Sequence, residues 1–267
     1  MPNSQFQKST FFLIINLLIF FFPSHGQESA SLIGQEQLKY RIHLGFINAA
    51  QATIKSSAQT IQMGNKSTRK IEIEGKTIGI LDVLSPVVDY WSSYLDIQSR
   101  IPLKTEMKKK EGRYRKEETV VYDQEKGIAK ISSPQNTPTE KNMAISKGML
   151  DIIGGYYFLR DKNLADMKPG QKLSAKVLMD GSIYEIWFVV KGFEKVESKF
   201  GSKNCIRTSL VLPKNNLFED KDAIRLWISQ DKNQIPFKME VSLKIGFLTI
   251  DLEEYLIQGK PIYALAP

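Results

Sequence analysis

The sequence predicts a mainly β protein, a curved antiparallel sheet or incomplete β-barrel with two short helices packed on its concave side. Three observations support this prediction. Apolar and polar residues alternate with a period of two through most of the chain, turn-forming residues separate the alternating segments, and two segments break the alternation. The 267 residues can bury a core that needs no disulfide.

Residues 1–26 have the pattern of a secretion signal. Lys8 precedes the apolar run "FFLIINLLIFFF" (11–22), and the small residues Ser24 and Gly26 follow it. The run is shorter than the roughly 20 residues that span a bilayer, which favours a cleaved signal over a retained anchor. We therefore expect export, cleavage after Gly26 and a single β-rich domain over residues 27–267.

The first half of the remaining chain predicts successive hairpins. Residues 38–60 alternate as two strands that Gly45 interrupts, "GNKS" (64–67) predicts the next turn, and residues 69–80 predict a third strand. The segment "DQEKG" (123–127) predicts another hairpin turn.

The first break in this alternation is "DVLSPVVDYWSSYLD" (82–96). Ser85 followed by Pro86 is typical of a helix start, because Ser caps a helix and Pro suits its first position. The sequence therefore predicts a short helix here that carries Val87, Val88 and Trp91.

The second break is "SKGMLDIIGGYYFLR" (146–160), whose apolar residues follow a helical period. Gly154 and Gly155 lower its helix propensity, so the helix either packs closely at this point or breaks there. The polar segment "SSPQNTPTEKN" (132–142) predicts an exposed loop.

From residue 170 onward the sequence predicts strands and hairpins. Asp180-Gly181 predicts a two-residue turn, and Gly201 predicts the next. The stretch "LWISQDKNQIPFKME" (226–240) holds Trp, Ser, acids and Asn in a short space, but two alternating runs flank it. We interpret it as a long hairpin and not as a catalytic cluster.

Composition argues against several function classes. Cys205 is the one cysteine, and His43 is the one histidine after residue 26, so a zinc site made of His and Cys is excluded. A Ser-His-Asp hydrolase would have to use His43, yet the sequence has no Gly-x-Ser-x-Gly elbow. We expect no cofactor and no metal. The net charge of +8 favours anionic partners, and export makes nucleic acid an unexpected one.

Two residue groups are candidate sites. Aromatic residues on or near the predicted helices and strands could line an apolar cavity; they are Trp91, Tyr94, Tyr156, Tyr157 and Trp187. Basic residues within "KKKEGRYRK" (108–116) could contact an anionic surface; they are Lys108, Lys109, Lys110, Arg113 and Arg115. Without such a role, the first group would form an ordinary core and the second a solvated strand.

Five segments of the chain resemble, in order, a bacterial family of exported proteins catalogued as domain of unknown function 3108. They are "YRIHLGFINAAQATI", "DYWSSYLDIQSRIPLKTEMKKKEGRYRKEE", "MLDIIGGYYFLR", "FEKVESKFGSKNCIRTSLVLP" and "LWISQDKNQIPFKMEVSLKIGFLTIDL". The resemblance covers about residues 36–252, and its most specific parts are the "WIS-D-N-IP" hairpin and the "D-YYFLR" helix. Gly154 and Gly155 stand where the family usually has Ser and Ala.

The resemblance implies a predominantly β envelope protein of Gram-negative bacteria, periplasmic or associated with the outer membrane. It supplies no catalytic residues. The implied architecture is similar to the half-barrels of periplasmic lipoprotein carriers, which is an analogy of fold alone.

Three functions stay open. The first is binding of a lipid or other apolar ligand in a half-barrel cavity. The second is a non-enzymatic interaction or scaffold role, in which a basic face docks on an envelope protein or an anionic surface polymer. The third is hydrolysis of a cell-wall or lipid substrate, which would need an acid pair and has Asp89 and Asp151 as its candidates.

Overall fold

The computed structural model describes residues 34–134, 138–211, 222–243 and 246–263. The predicted signal, residues 1–26, lies outside the described residues. Within the described part, no helix is both long and apolar enough to cross a membrane.

The described chain forms fifteen strands and two α-helices. The strands are β1 (Glu36–Leu44), β2 (Ile47–Met63), β3 (Lys66–Thr77), β4 (Val87–Asp96), β5 (Pro102–Glu111), β6 (Tyr114–Asp123), β7 (Ile128–Ser133), β8 (Thr139–Ala144), β9 (Lys172–Met179), β10 (Ser182–Ser198), β11 (Gly201–Val211), β12 (Ile224–Ser229), β13 (Pro236–Leu243), β14 (Gly246–Ile257) and β15 (Lys260–Tyr263). The helices are α1 (Ile80–Leu84) and α2 (Ile152–Arg160), and a 3₁₀ turn follows at Leu164–Asp166.

All strands belong to one antiparallel sheet of 15 strands, in the order β8-β7-β6-β5-β4-β3-β2-β1-β14-β13-β12-β11-β10-β9, with β15 on β14. Strands that follow one another in the chain pair as antiparallel neighbours, except β8 and β9, which form the two edges of the sheet, and the pairing of β1 with β14 joins the two series of hairpins. The sheet is curved and is not closed into a barrel, so the predicted fold class is confirmed. Of the two helices, α2 packs on the concave side, whereas no residue of α1 is buried.

The core lies on the concave side of this sheet. Alternate residues of β1, Leu38 and Ile42, are fully buried, as are Phe188 of β10 and Tyr255 of β14. These residues belong to a single apolar cluster that also contains the side chains of α2. Because both halves of the sheet contact α2, the helix fills the space that an empty half-barrel would enclose.

The helix predicted at 82–96 is wrong. Val87–Asp96 is the strand β4, whose residues pair with β3 and β5, and α1 ends before it at Leu84. Ser85 is the residue that follows α1 and does not cap its start. The β-branched and aromatic residues of "VVDYWSSYLD" favour a strand, and this preference outweighs the Ser-Pro signal.

The second predicted helix exists but begins at Ile152, six residues later than predicted. Asp151 caps it, because its Oδ1 accepts a hydrogen bond from the Gly154 amide at 2.5 Å. Leu150, just before the cap, pairs with Val177 of β9 in a parallel bridge and is therefore extended. The helix does not break at Gly154.

Gly154 is a point of close packing. A Cβ atom there would lie 2.9 Å from Asp151 Oδ1 and 3.3 Å from the Arg100 carbonyl oxygen. The residue therefore lets α2 approach the β4–β5 connection, which explains why the helix tolerates its low propensity.

The turn predictions at 64–67, 123–127, 180–181 and 226–240 are confirmed. The predicted loop 132–142 is only partly correct, because β8 begins at Thr139 and pairs with β7. Residues 135–137 lie outside the described part. β8 is an edge strand with little burial, so its polar composition reflects exposure and not an absence of regular structure.

Candidate functional site

A buried ion pair anchors α2 in the sheet. Arg160, the last residue of α2, lies 2.8 Å from the carboxylate of Glu36 at the start of β1. The Glu36 and Arg160 side chains are 0% and 8% exposed. The Tyr157 hydroxyl donates to Glu36 Oε2 at 2.7 Å, and the Tyr255 hydroxyl donates to Oε1 at 2.9 Å. The carboxylate is therefore satisfied on both oxygens.

The same arginine joins α2 to the β12–β13 hairpin. Arg160 Nε donates to the Asn233 carbonyl at 2.9 Å, and Gln234 Nε2 donates to the Arg160 carbonyl at 2.8 Å. A further bond runs from Gln234 Nε2 to the Lys162 carbonyl. The "D-YYFLR" helix and the "WIS-D-N-IP" hairpin, distant in sequence, are thus held together directly.

Electrostatics keep this pair ionised. Burial alone would raise the pKa of Glu36, but the Arg160 charge and the donated hydrogen bonds hold that pKa below its usual value. Burial would likewise lower the pKa of Arg160, and Glu36 holds it well above its usual value. A carboxylate with both oxygens paired to fixed donors is unsuited to proton exchange, so this cluster is a structural anchor.

A cavity of about 40 Å³ lies between the start of α2 and strands β4, β5, β6 and β9. Trp91, Met107 and Val120 line it together with Asp151 and Leu178. This volume suits one or two water molecules, whereas drug-sized ligands occupy about 300 Å³ or more.

The five predicted ligand-binding aromatics do not converge on this cavity. Trp91 lines it, while Tyr156 and Tyr157 are buried in the core and contact each other edge to face at 5.1 Å between ring centroids. Tyr94 is an odd number of residues from Trp91 on β4 and therefore faces the opposite side of the sheet. Trp187 is 41% exposed and alternates with the buried Ile186 and Phe188.

The predicted basic residues lie together on the β5–β6 hairpin. Lys108, Lys110, Arg113 and Arg115 are exposed, and Lys110 is directly opposite Arg115 in the register of the two strands. Lys109 is different: its side chain is buried and its Nζ lies 3.1 Å from Asp180 Oδ2.

Asp180, in the β9–β10 turn, holds this hairpin in place. Its carboxylate pairs with Lys109 at 3.1 Å and with Lys116 at 2.9 Å. Burial would raise the pKa of Asp180, but the two ammonium groups outweigh it and leave that pKa below its usual value. Sequence reasoning missed this residue, because the Asp-Gly dipeptide is fully explained as a turn and gives no sign of its distant partners.

Beneath the hairpin lies Asp89 of β4, which is completely buried. Its Oδ1 accepts from the Lys110 amide at 3.0 Å, and its Oδ2 has no hydrogen-bond partner among the described residues. Burial, aided by the negative charge of Glu111, raises the pKa of Asp89 to about 7. The Lys110 amide opposes that rise, as does the positive charge of Lys109.

The other candidate acid, Asp151, also has a structural role. It caps α2, and burial raises its pKa to about 6 against the hydrogen bond that the Gly154 amide donates. Cys205 is buried as a small apolar residue, and burial raises the pKa of its thiol to about 11. Within the described ranges, no three His, Cys, Asp or Glu side chains form a group that could hold a metal ion.

An open, strongly curved β-sheet with a helix filling its concave side places the protein in the barrel-like β class. Within this class the chain belongs to the family described as Protein of unknown function (DUF3108), whose model matches residues 39–253. The family predicted from the sequence segments is therefore confirmed. No curated protein is a significant match to the chain.

Two solved structures are similar to this one. The first is a beta-barrel-like protein of the domain of unknown function DUF1849 from Brucella abortus, with a TM-score of 0.56, 10% identity, and coverage of 85% of this chain and 99% of that one. The second is a candidate exported protein with a YmcC-like fold from Bacteroides fragilis, with a TM-score of 0.35, 11% identity, and coverage of 89% and 99%. The first likeness supports the fold, whereas the TM-score of the second is too low to define it.

Proposed function

We propose that this protein is an exported, non-catalytic component of the cell envelope that docks on an anionic envelope surface through its β5–β6 hairpin. The observation that carries the proposal is a rigid hairpin with an exposed cationic face. Lys109 and Lys116 point inward and fix the hairpin through Asp180, while Lys108, Lys110, Arg113 and Arg115 point to solvent.

The arrangement lowers the entropic cost of binding. Because Asp180 holds the two strands from below, the backbone that carries the exposed cations is ordered before any partner arrives. Each basic residue near an anionic surface contributes up to about 1 kcal/mol, and Lys108, which already pairs with Glu117 at 3.6 Å, contributes less than Lys110, Arg113 and Arg115. The attraction will weaken as salt screens it.

The alternative of an apolar ligand inside the sheet has less support. α2 occupies the concave side with every residue buried, and the cavity beside it is about 40 Å³. An acyl chain would need α2 to leave, which would break the buried contact between Glu36 and Arg160. Hydrolysis has less support too, because Asp151 caps α2 and Asp89 accepts from the Lys110 amide.

Cell fractionation tests the proposal. We expect the exported protein with Lys108, Lys110, Arg113 and Arg115 all changed to Glu to lose retention in the envelope fraction at low salt. Lys109 is left unchanged, because its substitution would remove the ion pair with Asp180 that holds the hairpin in place. The matched control makes the same change in net charge at exposed lysines elsewhere, Lys126, Lys130, Lys141 and Lys147.

The control should be retained as the wild type is. Equal retention of wild type and hairpin variant, with both folded by circular dichroism, would overturn the proposal. Equal loss from hairpin variant and control would also overturn it, since net charge and not the hairpin would then decide retention.

A further inference from the structure

One end of the sheet carries exposed apolar side chains in the connections between strands or at the first residues of the strands that follow them. We call these residues the apolar rim: Phe46, Ile47, Ile80, Val83, Leu84 and Phe247. Phe46 is fully exposed, Val83 is 82% exposed and Leu84 is 71% exposed. Large apolar residues on a turn or a short surface helix are costly in water unless another surface covers them.

The rim is continuous in space because its connections are neighbours in the sheet. Leu44 pairs with Leu248 across β1 and β14, which brings the turn holding Phe46 beside Phe247. On the other side, the Ile78 amide donates to the Ala49 carbonyl at 3.1 Å and places α1 next to the start of β2.

The rim continues into the basic hairpin. The Gly112 amide, in the β5–β6 turn, donates to the Pro86 carbonyl at 2.8 Å, two residues beyond the end of α1. The β5–β6 turn therefore lies beside the segment that follows α1, and Arg113 and Tyr114 next to Gly112 are both exposed. Val88, which is 45% exposed, faces outward in register with Lys110.

The opposite end of the sheet has different turns. They are formed mostly by polar residues and glycine, as in Gly64-Asn65, "DQEKG" (123–127), "QDKNQ" (230–234) and Gln258-Gly259. Polar turns such as Asp180-Gly181 occur at the rim end as well, so the contrast lies in the β1–β2 turn and α1, whose exposed residues are mostly apolar. Folding of the chain does not explain the difference, because none of the five residues of α1 is buried.

We propose that the apolar rim inserts into the interface of a lipid bilayer that contains anionic headgroups, with Arg113, Arg115 and Lys110 contacting those headgroups. This inference rests on the proposed docking function for its charged part and names the surface that is bound. Asp82 of α1 is an acid on this rim; its Oδ1 accepts a hydrogen bond from Thr77 Oγ1 at 3.1 Å, and the three cations Lys110, Arg113 and Arg115 outnumber it.

The shape of the rim favours a bilayer as the occupant. Its apolar side chains lie on three separate elements at one end of the sheet, the β1–β2 turn, α1 and the start of β14, which we call tips, and a fluid interface accommodates separate tips without matching pockets. Apolar residues, a tyrosine and flanking cations form the combination that binds at the headgroup and acyl boundary, about 5–10 Å deep. Full burial of one Phe or Leu side chain contributes about 1.5–3 kcal/mol, so each tip could change binding about tenfold or more.

Vesicle flotation tests this inference with the exported protein. The probes are vesicles of phosphatidylglycerol and phosphatidylcholine in equal amounts, and vesicles of phosphatidylcholine alone. We expect the wild type to float with the mixed vesicles and much less with the neutral ones. The variant Phe46→Ser with Phe247→Ser should bind the mixed vesicles at least tenfold more weakly.

Phe193→Ser is the matched control, because Phe193 is 46% exposed on β10 away from the rim and opposite Ile206. It should bind as the wild type does. A wild type that fails to float with either vesicle, or a Phe46→Ser, Phe247→Ser variant that floats as well as the wild type, would overturn the inference.

The two proposals fail in different ways. If the variant with the hairpin charges reversed loses envelope retention while the rim variant still floats and is retained, docking stands and the bilayer insertion is wrong. If the rim variant loses flotation while charge reversal changes neither flotation nor retention, insertion stands and the proposed role of the hairpin is wrong.

Discussion

The two helices of this protein have opposite environments. Every residue of α2 is buried, and its last residue forms the ion pair with Glu36. None of the five residues of α1 is buried, and Ile80, Val83 and Leu84 point to solvent. Both helices are apolar, so apolar composition alone does not say whether a helix belongs to the core.

Polar contacts distinguish the two. α2 has an Asp cap at its start, which accepts from the Gly154 amide of the helix itself, and an arginine at its end, which pairs with Glu36 of β1. At the start of α1, the residue in the capping position is Gly79, and no side-chain capping hydrogen bond forms there. The free backbone groups at the ends of a buried helix must find hydrogen-bond partners in the protein. A helix on the surface can leave its ends to water, as α1 also leaves its apolar side chains exposed.

The largest expected effect comes from breaking the anchor of α2. Arg160→Met should lower the free energy of unfolding by about 3–5 kcal/mol, because it leaves Glu36 buried without its positive partner. Urea unfolding followed by circular dichroism measures this. The double variant Arg160→Met with Glu36→Gln should recover part of the loss, since no unpaired charge then remains.

Arg41→Met is the control for this experiment. Arg41 pairs with Glu253 at 3.0 Å, but both side chains are more than a quarter exposed. We expect a loss below about 1 kcal/mol. A similar loss from Arg160→Met and Arg41→Met would mean that α2 is not anchored by its buried charge.

The next effect concerns Asp89, which is completely buried only five residues beyond the exposed α1. Its pKa is about 7 in the folded chain, above the ordinary value of 3.8. The unfolded chain therefore releases this proton near pH 4 and the folded chain near pH 7. Between these values the folded state binds more protons, so the stability contributed by Asp89 falls as pH rises through this window.

Asp89→Asn removes that dependence, because the amide does not titrate and can still accept from the Lys110 amide. We expect the variant to gain stability relative to the wild type as pH rises from 4 to 7, by about 3 kcal/mol, with little further change above pH 7. Unfolding curves at pH 4, 5.5 and 7.5 measure the gain. A difference that is constant with pH would show that Asp89 titrates near its ordinary value.

A smaller effect is expected at Gly154, where α2 approaches its neighbours most closely. The added methyl of Gly154→Ala would lie 2.9 Å from the capping oxygen of Asp151 and 3.3 Å from the Arg100 carbonyl oxygen. Alanine gains about 1 kcal/mol of helix propensity, but the clash should outweigh it and give a net loss of about 1–2 kcal/mol. A more stable variant in thermal unfolding would mean that the Asp151 side chain can move aside.

The sequence predicted much of the fold because the strands are strongly alternating and their turns carry ordinary signals. It failed at 82–96, where a local Ser-Pro signal competed with strand pairing that only the neighbouring strands β3 and β5 reveal. It also failed to separate Lys109 from Lys108 and Lys110. That distinction depends on Asp180, 71 residues away along the chain.

The candidate surfaces were harder to predict for the same reason. The apolar rim draws on connections spread from Phe46 to Phe247, and their adjacency is a property of the sheet order. Exposure at Val83 and Leu84 could not be read from sequence either, because the same residue types are buried elsewhere in the chain.

The smallest expected effect on stability comes from α1 and completes the comparison. Val83→Ser with Leu84→Ser removes two apolar side chains that are 82% and 71% exposed. Since these side chains bury little area in the folded protein, the free energy of unfolding should change by less than about 0.5 kcal/mol. Binding to the mixed vesicles should nevertheless weaken about tenfold or more, because both side chains lie on the rim.

A loss of stability comparable to that of Arg160→Met would mean that α1 packs on the described sheet after all, and the contrast between the helices would disappear. If this variant keeps its stability but binds vesicles more weakly, the two helices have different roles: α2 is needed for folding and α1 for contact with a membrane.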